Sequence, residues 1–180
     1  IWVTDTERPT ALTVTTYALE QARFSTSPPF IHYGNQFAPA SLQTTITAEM
    51  LTAAIHANAN TLQDESNPLS GLTALDTWIS DLPRWQSTGD WRWTTRFAYQ
   101  VIEKRGTGGS GFRAMYAEFL SEAAVYVPRI EDCRLPILMQ ASAQAWCDLA
   151  MLLKAASEAS EFPMDALAEC IRSVKTTEQQ

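Results

Sequence analysis

From residue 42 onward, apolar side chains recur every three or four positions between prolines and glycines. A chain patterned this way buries its stripes by packing helices against one another. Leu51, Ile55, Asn58 and Leu62 share one face of a helix predicted over 44–63, which Asn67-Pro68 ends. Ser70 is placed to cap the next helix, where Leu72, Leu75, Ile79 and Leu82 form the stripe and Pro83 is the expected stop. Asp90 is placed to cap a helix running to Arg105, with Trp93, Phe97 and Val101 recurring every four residues. Phe112, Met115, Tyr116, Phe119, Leu120 and Ala123 pattern a helix to about residue 127, closed by Pro128. Pro136 suits the first position of the longest helix, which carries Leu135, Met139, Ser142, Trp146, Leu149 and Leu153. Pro163 opens the last, with Leu167, Ile171 and Val174, and the tail 176–180 is expected to fray.

The beginning of the chain reads differently. Ile1-Trp2-Val3-Thr4 is a short strand, and Ala11-Leu12-Thr13-Val14 is β-like. A short helix through Tyr17, Leu19 and Ala22 follows, then an irregular stretch over 25–41 that carries Ser27-Pro28-Pro29, Gly34-Asn35, Pro39 and the loop residues His32 and Tyr33. The expected fold is therefore mainly α: a helical bundle of about six helices with a small β-containing N-terminal edge. The divisions are an edge over 1–24, a loop over 25–41, a bundle over 42–175 and a tail over 176–180.

Composition narrows the function classes. The 180 residues are 46% apolar and 18% charged, enough for a folded core. A net charge of −7 with only 13 Lys and Arg argues against nucleic acid and favours a cationic partner or substrate. There is no apolar run of membrane-spanning length, so no membrane partner is expected. Three cysteines (Cys133, Cys147 and Cys170) at wide spacing form neither a disulfide framework nor a zinc pattern, and with two histidines, His32 and His56, no metal site or bound cofactor is expected. A cytoplasmic location is the expectation. The opening on Ile1 is read as a fragment, a processed product or a separate subunit.

Four of the seven glycines fall in Gly106-Thr107-Gly108-Gly109-Ser110-Gly111. The run spells the dinucleotide-binding G-x-G-x-x-G, but a helical stripe precedes it rather than a strand, so the pyrophosphate geometry is missing. Phe112-Arg113 follows where a P-loop needs Lys and Ser or Thr. Gly106 is placed as a left-handed cap and Ser110 as the cap of the next helix. Two readings remain: a connector between antiparallel helices, or a glycine-lined wall whose bare amides, flanked by Arg105 and Arg113, attract an anionic group. Trp78 and Trp93 fit core stripes; Trp85 and Trp91 lie in or beside the loop over 83–90, either as packing anchors or as an interface. Glu118 and Glu122, four apart, and Glu103 read as solvated faces or as acid–base carboxylates.

Gly71-Leu72…Leu75…Trp78…Leu82-Pro83…Trp85, then Tyr99…Ile102-Glu103-Lys104-Arg105-Gly106-Thr107-Gly108-Gly109…Phe112-Arg113…Tyr116…Phe119-Leu120…Glu122-Ala123, resembles the C-terminal helical domain of the butirosin biosynthesis protein H family. The likeness covers most of residues 1–175 and is sharpest over 99–123. In that family the helical domain follows a papain-like domain. The resemblance implies an amide-forming acyl transfer, from the phosphopantetheine of an acyl carrier protein to a cationic amine, in specialised metabolism. The chemistry would run through a cysteine nucleophile with a His base. The opening strand looks like the last strand of such a papain-like domain, and Asp5 would match the carboxylate that orients the His. Arg105, Gly106, Gly108, Gly109, Arg113 and Tyr116 would line the substrate site. The domain bearing Cys and His is absent from these residues, so the chain is not expected to act alone; its partner would be a papain-like domain or chain. The rival reading is a non-catalytic helical binding or scaffold module whose interface is Trp85 and Trp91. A third, a self-sufficient hydrolase using Cys133 or Cys147, lacks a supporting motif.

Overall fold

The computed structural model describes residues 2–3, 12–13, 45–106 and 108–180. The chain divides into two compact units, Ile1–Thr45 and Ile46–Gln180. In the first, strand β1 (Trp2–Val3) pairs antiparallel with β2 (Leu12–Thr13), Trp2 opposite Thr13 and Val3 opposite Leu12. Asp5, the short helix expected through Ala22, the loop over 25–41 and His32 lie outside the described residues.

The second unit is helical: α1 (Ala48–Gln63), α2 (Gly71–Ser87), α3 (Trp91–Glu103), α4 (Arg113–Ala123), α5 (Arg129–Asp132), α6 (Leu135–Glu158) and α7 (Met164–Glu178). A 3-10 turn, Ser110–Phe112, joins α3 to α4. Helix α6 is the spine. Leu149, Ala150, Leu153 and Ala156 on its second half are fully buried against Leu167, Ile171 and Val174 of α7 and against Tyr99 and Ile102 of α3, with Leu75 and Leu82 of α2 in the same core. Its first half meets a smaller cluster of Leu120, Ala123 and Ile130, onto which Leu51 and Ile55 of α1 pack. Helix α1, capped by the Thr47 hydroxyl accepting from the Met50 N–H, has no fully buried residue.

Several sequence expectations are corrected. Helix α2 does not stop at Pro83 but runs through it to Ser87. Proline removes one ladder bond, yet Trp85 beyond it packs on the core against Trp78, ring centroids 5.8 Å apart, and this holds the last turn. Ser70, Asp90 and Ser110 stand at or near helix starts without a capping side-chain bond. The four-residue α5 was not expected. The tail does not fray at 176, because α7 continues to Glu178.

The stripe of α3 is the clearest reversal. Trp93, Phe97 and Val101 are 57%, 43% and 41% exposed. The buried face is instead Trp91, Thr95, Tyr99 and Ile102, which has the same helical spacing. Polar anchors choose between the two: Arg92 donates to the Ala159 and Ser160 carbonyls, and Arg96 pairs with Glu158 at 3.1 Å. Both contacts tie the Trp91–Tyr99 side to the end of α6.

Candidate functional site

The most unusual group in the bundle is a carboxylate. Glu178, at the C-terminal end of α7, has a side chain only 2% exposed. An anion at a helix C-terminus opposes the helix dipole, and desolvating it costs several kcal/mol, roughly. Three donors converge on its Oε1 to offset this. Arg113 Nε donates at 2.7 Å, Ser142 Oγ at 2.8 Å and Trp146 Nε1 at 2.6 Å. Among the described residues no donor reaches Oε2. Ser142 and Trp146 sit one turn apart on α6, and Arg113 is the first residue of α4.

The glycine loop is what aims Arg113. Gly106, Gly108, Gly109 and Gly111 all have positive φ, as do Ser110 and Phe112. This left-handed path folds the chain sharply from α3 into α4. The Ser110 N–H donates to Glu103 Oε1 at 3.1 Å, so Glu103 ties the loop rather than facing solvent. Arg113 Nη1 donates back to the Gly111 carbonyl at 2.8 Å, and its guanidinium lies 5.0 Å from the Trp146 ring centre. Phe112 holds φ 72°, a conformation costing a bulky L-residue about 1–3 kcal/mol that persists where surroundings enforce it, often at ligand sites.

Glu178 and Arg113 border a cavity of about 520 Å³, within the usual range for small-ligand sites. Its walls come from α1, α4, α6 and the end of α7. Leu62, Leu120, Leu138 and Met139 make them largely apolar. The polar groups include Glu178, Arg113, Ser142, Tyr116 and Asn58, whose Nδ2 donates to the Tyr116 hydroxyl at 3.3 Å, and Thr61, Gln63, Thr177, Gln179 and Gln180 also border the space. Phe112 lines the same space.

Of the residues expected to line a substrate site, Arg113 and Tyr116 border this cavity. Gly106, Gly108 and Gly109 shape the turn but are not part of the wall. Arg105 is turned away: it lies over the Phe97 ring at 4.7 Å and donates to Gln100 Oε1. Trp91, expected at the surface of a loop, belongs to the core instead. It is 8% exposed and packs edge-on against Phe162 with centroids 5.5 Å apart. Trp85 is half-buried against the core. Glu118 and Glu122 are exposed. The sequence reading missed Glu178, Ser142 and Asn58 as site residues. A serine inside the apolar stripe of α6 was the available signal for a polar partner, since a buried hydroxyl must be hydrogen-bonded.

Two of the three thiols, Cys147 and Cys170, are poorly disposed to nucleophilic work. Burial raises the Cys147 pKa above its usual value, and Glu103 and Asp148 add to this through their negative charge, Glu103 also through a hydrogen bond. Burial, then the charge of Asp148, raises Cys170 likewise. The thiolate is the reactive form. Iodoacetamide at pH 8 is therefore expected to label exposed Cys133 first, with Cys147 and Cys170 gaining speed only as the pH climbs further. Peptide mass spectrometry reads the order, and fastest labelling at Cys147 would reveal an activated thiol.

Among the described residues no helix is long and apolar enough to cross a membrane. Searches of curated proteins and of solved structures find no match to the chain. Residues 17–180, nearly the whole chain and all of the cavity, match one family, and the chain belongs to it: the domain of unknown function DUF4872.

Proposed function

We propose that this chain is the substrate-holding helical part of a papain-like cysteine acyltransferase of specialised metabolism. The transfer runs from an acyl carrier protein to an amine and forms an amide. The observation that supports the reading is that the stretch of sharpest likeness, 99–123, delivers Arg113 and Tyr116 to the wall of the cavity. The nucleophilic Cys and its His come from the papain-like partner, with Asp5 orienting that His. The raised thiols of Cys147 and Cys170 suit a division of labour in which this chain holds substrate and the partner does the covalent chemistry. The net charge of −7 draws a cationic amine towards the assembly.

The test combines the chain with a papain-like polypeptide bearing the Cys and His, an acylated carrier protein and an amine acceptor. Amide formation is expected only with both polypeptides present. Arg113→Ala is expected to lower kcat/KM by about tenfold or more through lost positioning of the substrate. Turnover by the isolated chain overturns the reading. A second reading, a non-catalytic module that docks a partner, is favoured by the exposed Trp93–Phe97–Val101 stripe on α3. Under it, Trp93→Ser abolishes association with the partner while no combination of components gives amide.

A further inference from the structure

The charges of the Arg113–Glu178 pair on the cavity wall cancel. Arg113 and Glu178 form an ion pair at 2.7 Å, and both border the empty space. An incoming ammonium meets the carboxylate with the guanidinium beside it, and an incoming carboxylate or phosphate meets the reverse. Either ligand brings a net charge into a low-dielectric site without gaining a net counter-charge, which is the costly case.

What the pair leaves unused is hydrogen-bonding capacity. Glu178 Oε2 is a strong acceptor on a side chain that is nearly fully buried. Arg113 uses Nε towards Glu178 and Nη1 towards the Gly111 carbonyl, so among the described residues its Nη2 is an available donor. A group that both donates and accepts without carrying charge satisfies both atoms. A primary or secondary amide fits best, since its N–H matches Oε2 and its C=O matches Nη2. From there the cavity continues between Leu62, Leu120, Leu138 and Met139.

We infer that this cavity binds an uncharged amphiphile, an amide head seated on the Arg113–Glu178 pair with an aliphatic body along the leucine walls. The inference rests on reading the cavity as a substrate site and specifies which chemistry it takes. The cationic amine then belongs to the partner's cleft and not to this pocket.

Calorimetry with the whole chain at pH 7 distinguishes the terms, using octanamide, octanoate and octylamine as probes of one chain length. Octanamide is expected to bind about tenfold more tightly than either charged probe. Glu178→Gln unbalances the pair towards positive and is expected to invert the order in favour of octanoate. Arg113→Gln leaves the carboxylate alone and is expected to favour octylamine. Circular dichroism checks that each variant is folded, and the wild-type ranking stands without either variant. Tighter binding of octanoate or octylamine to the wild-type chain overturns the amide assignment while leaving the cavity a ligand site. Binding of none of the three overturns the cavity as a site altogether.

Discussion

Replacing Glu178 by alanine is expected to destabilise the protein by about 3–5 kcal/mol, among the largest effects of any single side chain away from the leucine core. The substitution strands three donors at once. The Arg113 guanidinium, the Ser142 hydroxyl and the Trp146 indole N–H all converge on one carboxylate oxygen, within 2.6 to 2.8 Å. Arg113 loses its counter-charge in a place where its side chain is only 27% exposed, so water offers limited replacement. The milder Glu178→Gln keeps an oxygen acceptor and loses only the charge, and is expected to cost about 1–3 kcal/mol. Removing both charges in Arg113→Met/Glu178→Leu is expected to recover the part of the loss due to the unpaired Arg113 charge, while the Ser142 hydroxyl and the Trp146 N–H stay without their acceptor. Urea denaturation of the four proteins reads this directly. A Glu178→Ala cost below about 1 kcal/mol would mean that the carboxylate is solvated and that this wall of the cavity is not built as described.

Glu178 also marks the limit of what the sequence made legible. The helices themselves were readable, because 3-and-4 spacing between proline and glycine leaves few alternatives. The spine of α6 and the stripe of α7 follow that spacing, and both are buried. Two kinds of information were not in the pattern. The first is which of two equivalent stripes faces inward. On α3 the sets Trp93–Phe97–Val101 and Trp91–Tyr99–Ile102 have similar spacing, and Arg92 and Arg96 decide between them by reaching residues more than sixty positions away. The second is long-range polar pairing. A glutamate within the polar stretch Thr176-Thr177-Glu178-Gln179-Gln180 gives every local sign of a solvated turn. Only the fold brings it beside Arg113 and Ser142. The glycine loop lay between these cases: its position at the site was readable, but its role is to turn the chain and aim Arg113, while Glu103 accepts the loop amide that an anionic ligand was expected to take.

Gly71→Ala tests the opposite wall. Gly71 holds φ +59° at the start of α2, and a Cβ there would collide with the carbonyl oxygen of Leu62 in α1. The left-handed conformation alone costs an alanine about 1–2 kcal/mol. The contact adds more, because the obstructing atom belongs to backbone and can move only if the end of α1 moves with it; crowding of this kind costs about 1–3 kcal/mol further. Gly89→Ala separates the two contributions. Its φ is +68°, yet nothing lies within 4 Å of the added carbon. It carries the conformational penalty alone and is expected to cost about 1–2 kcal/mol. Since Gly71 and Leu62 both border the cavity, the first substitution is also expected to weaken octanamide binding, and the second to leave it unchanged. Helix α1 has no fully buried residue to resist displacement, so the strain should appear as a shifted wall rather than as global unfolding. Hydrogen exchange is then expected to rise along Ala48–Gln63 in Gly71→Ala and not in Gly89→Ala. Equal stability losses in the two variants, with unchanged exchange in α1, would show that the close approach of the two helices does not set the width of the cavity.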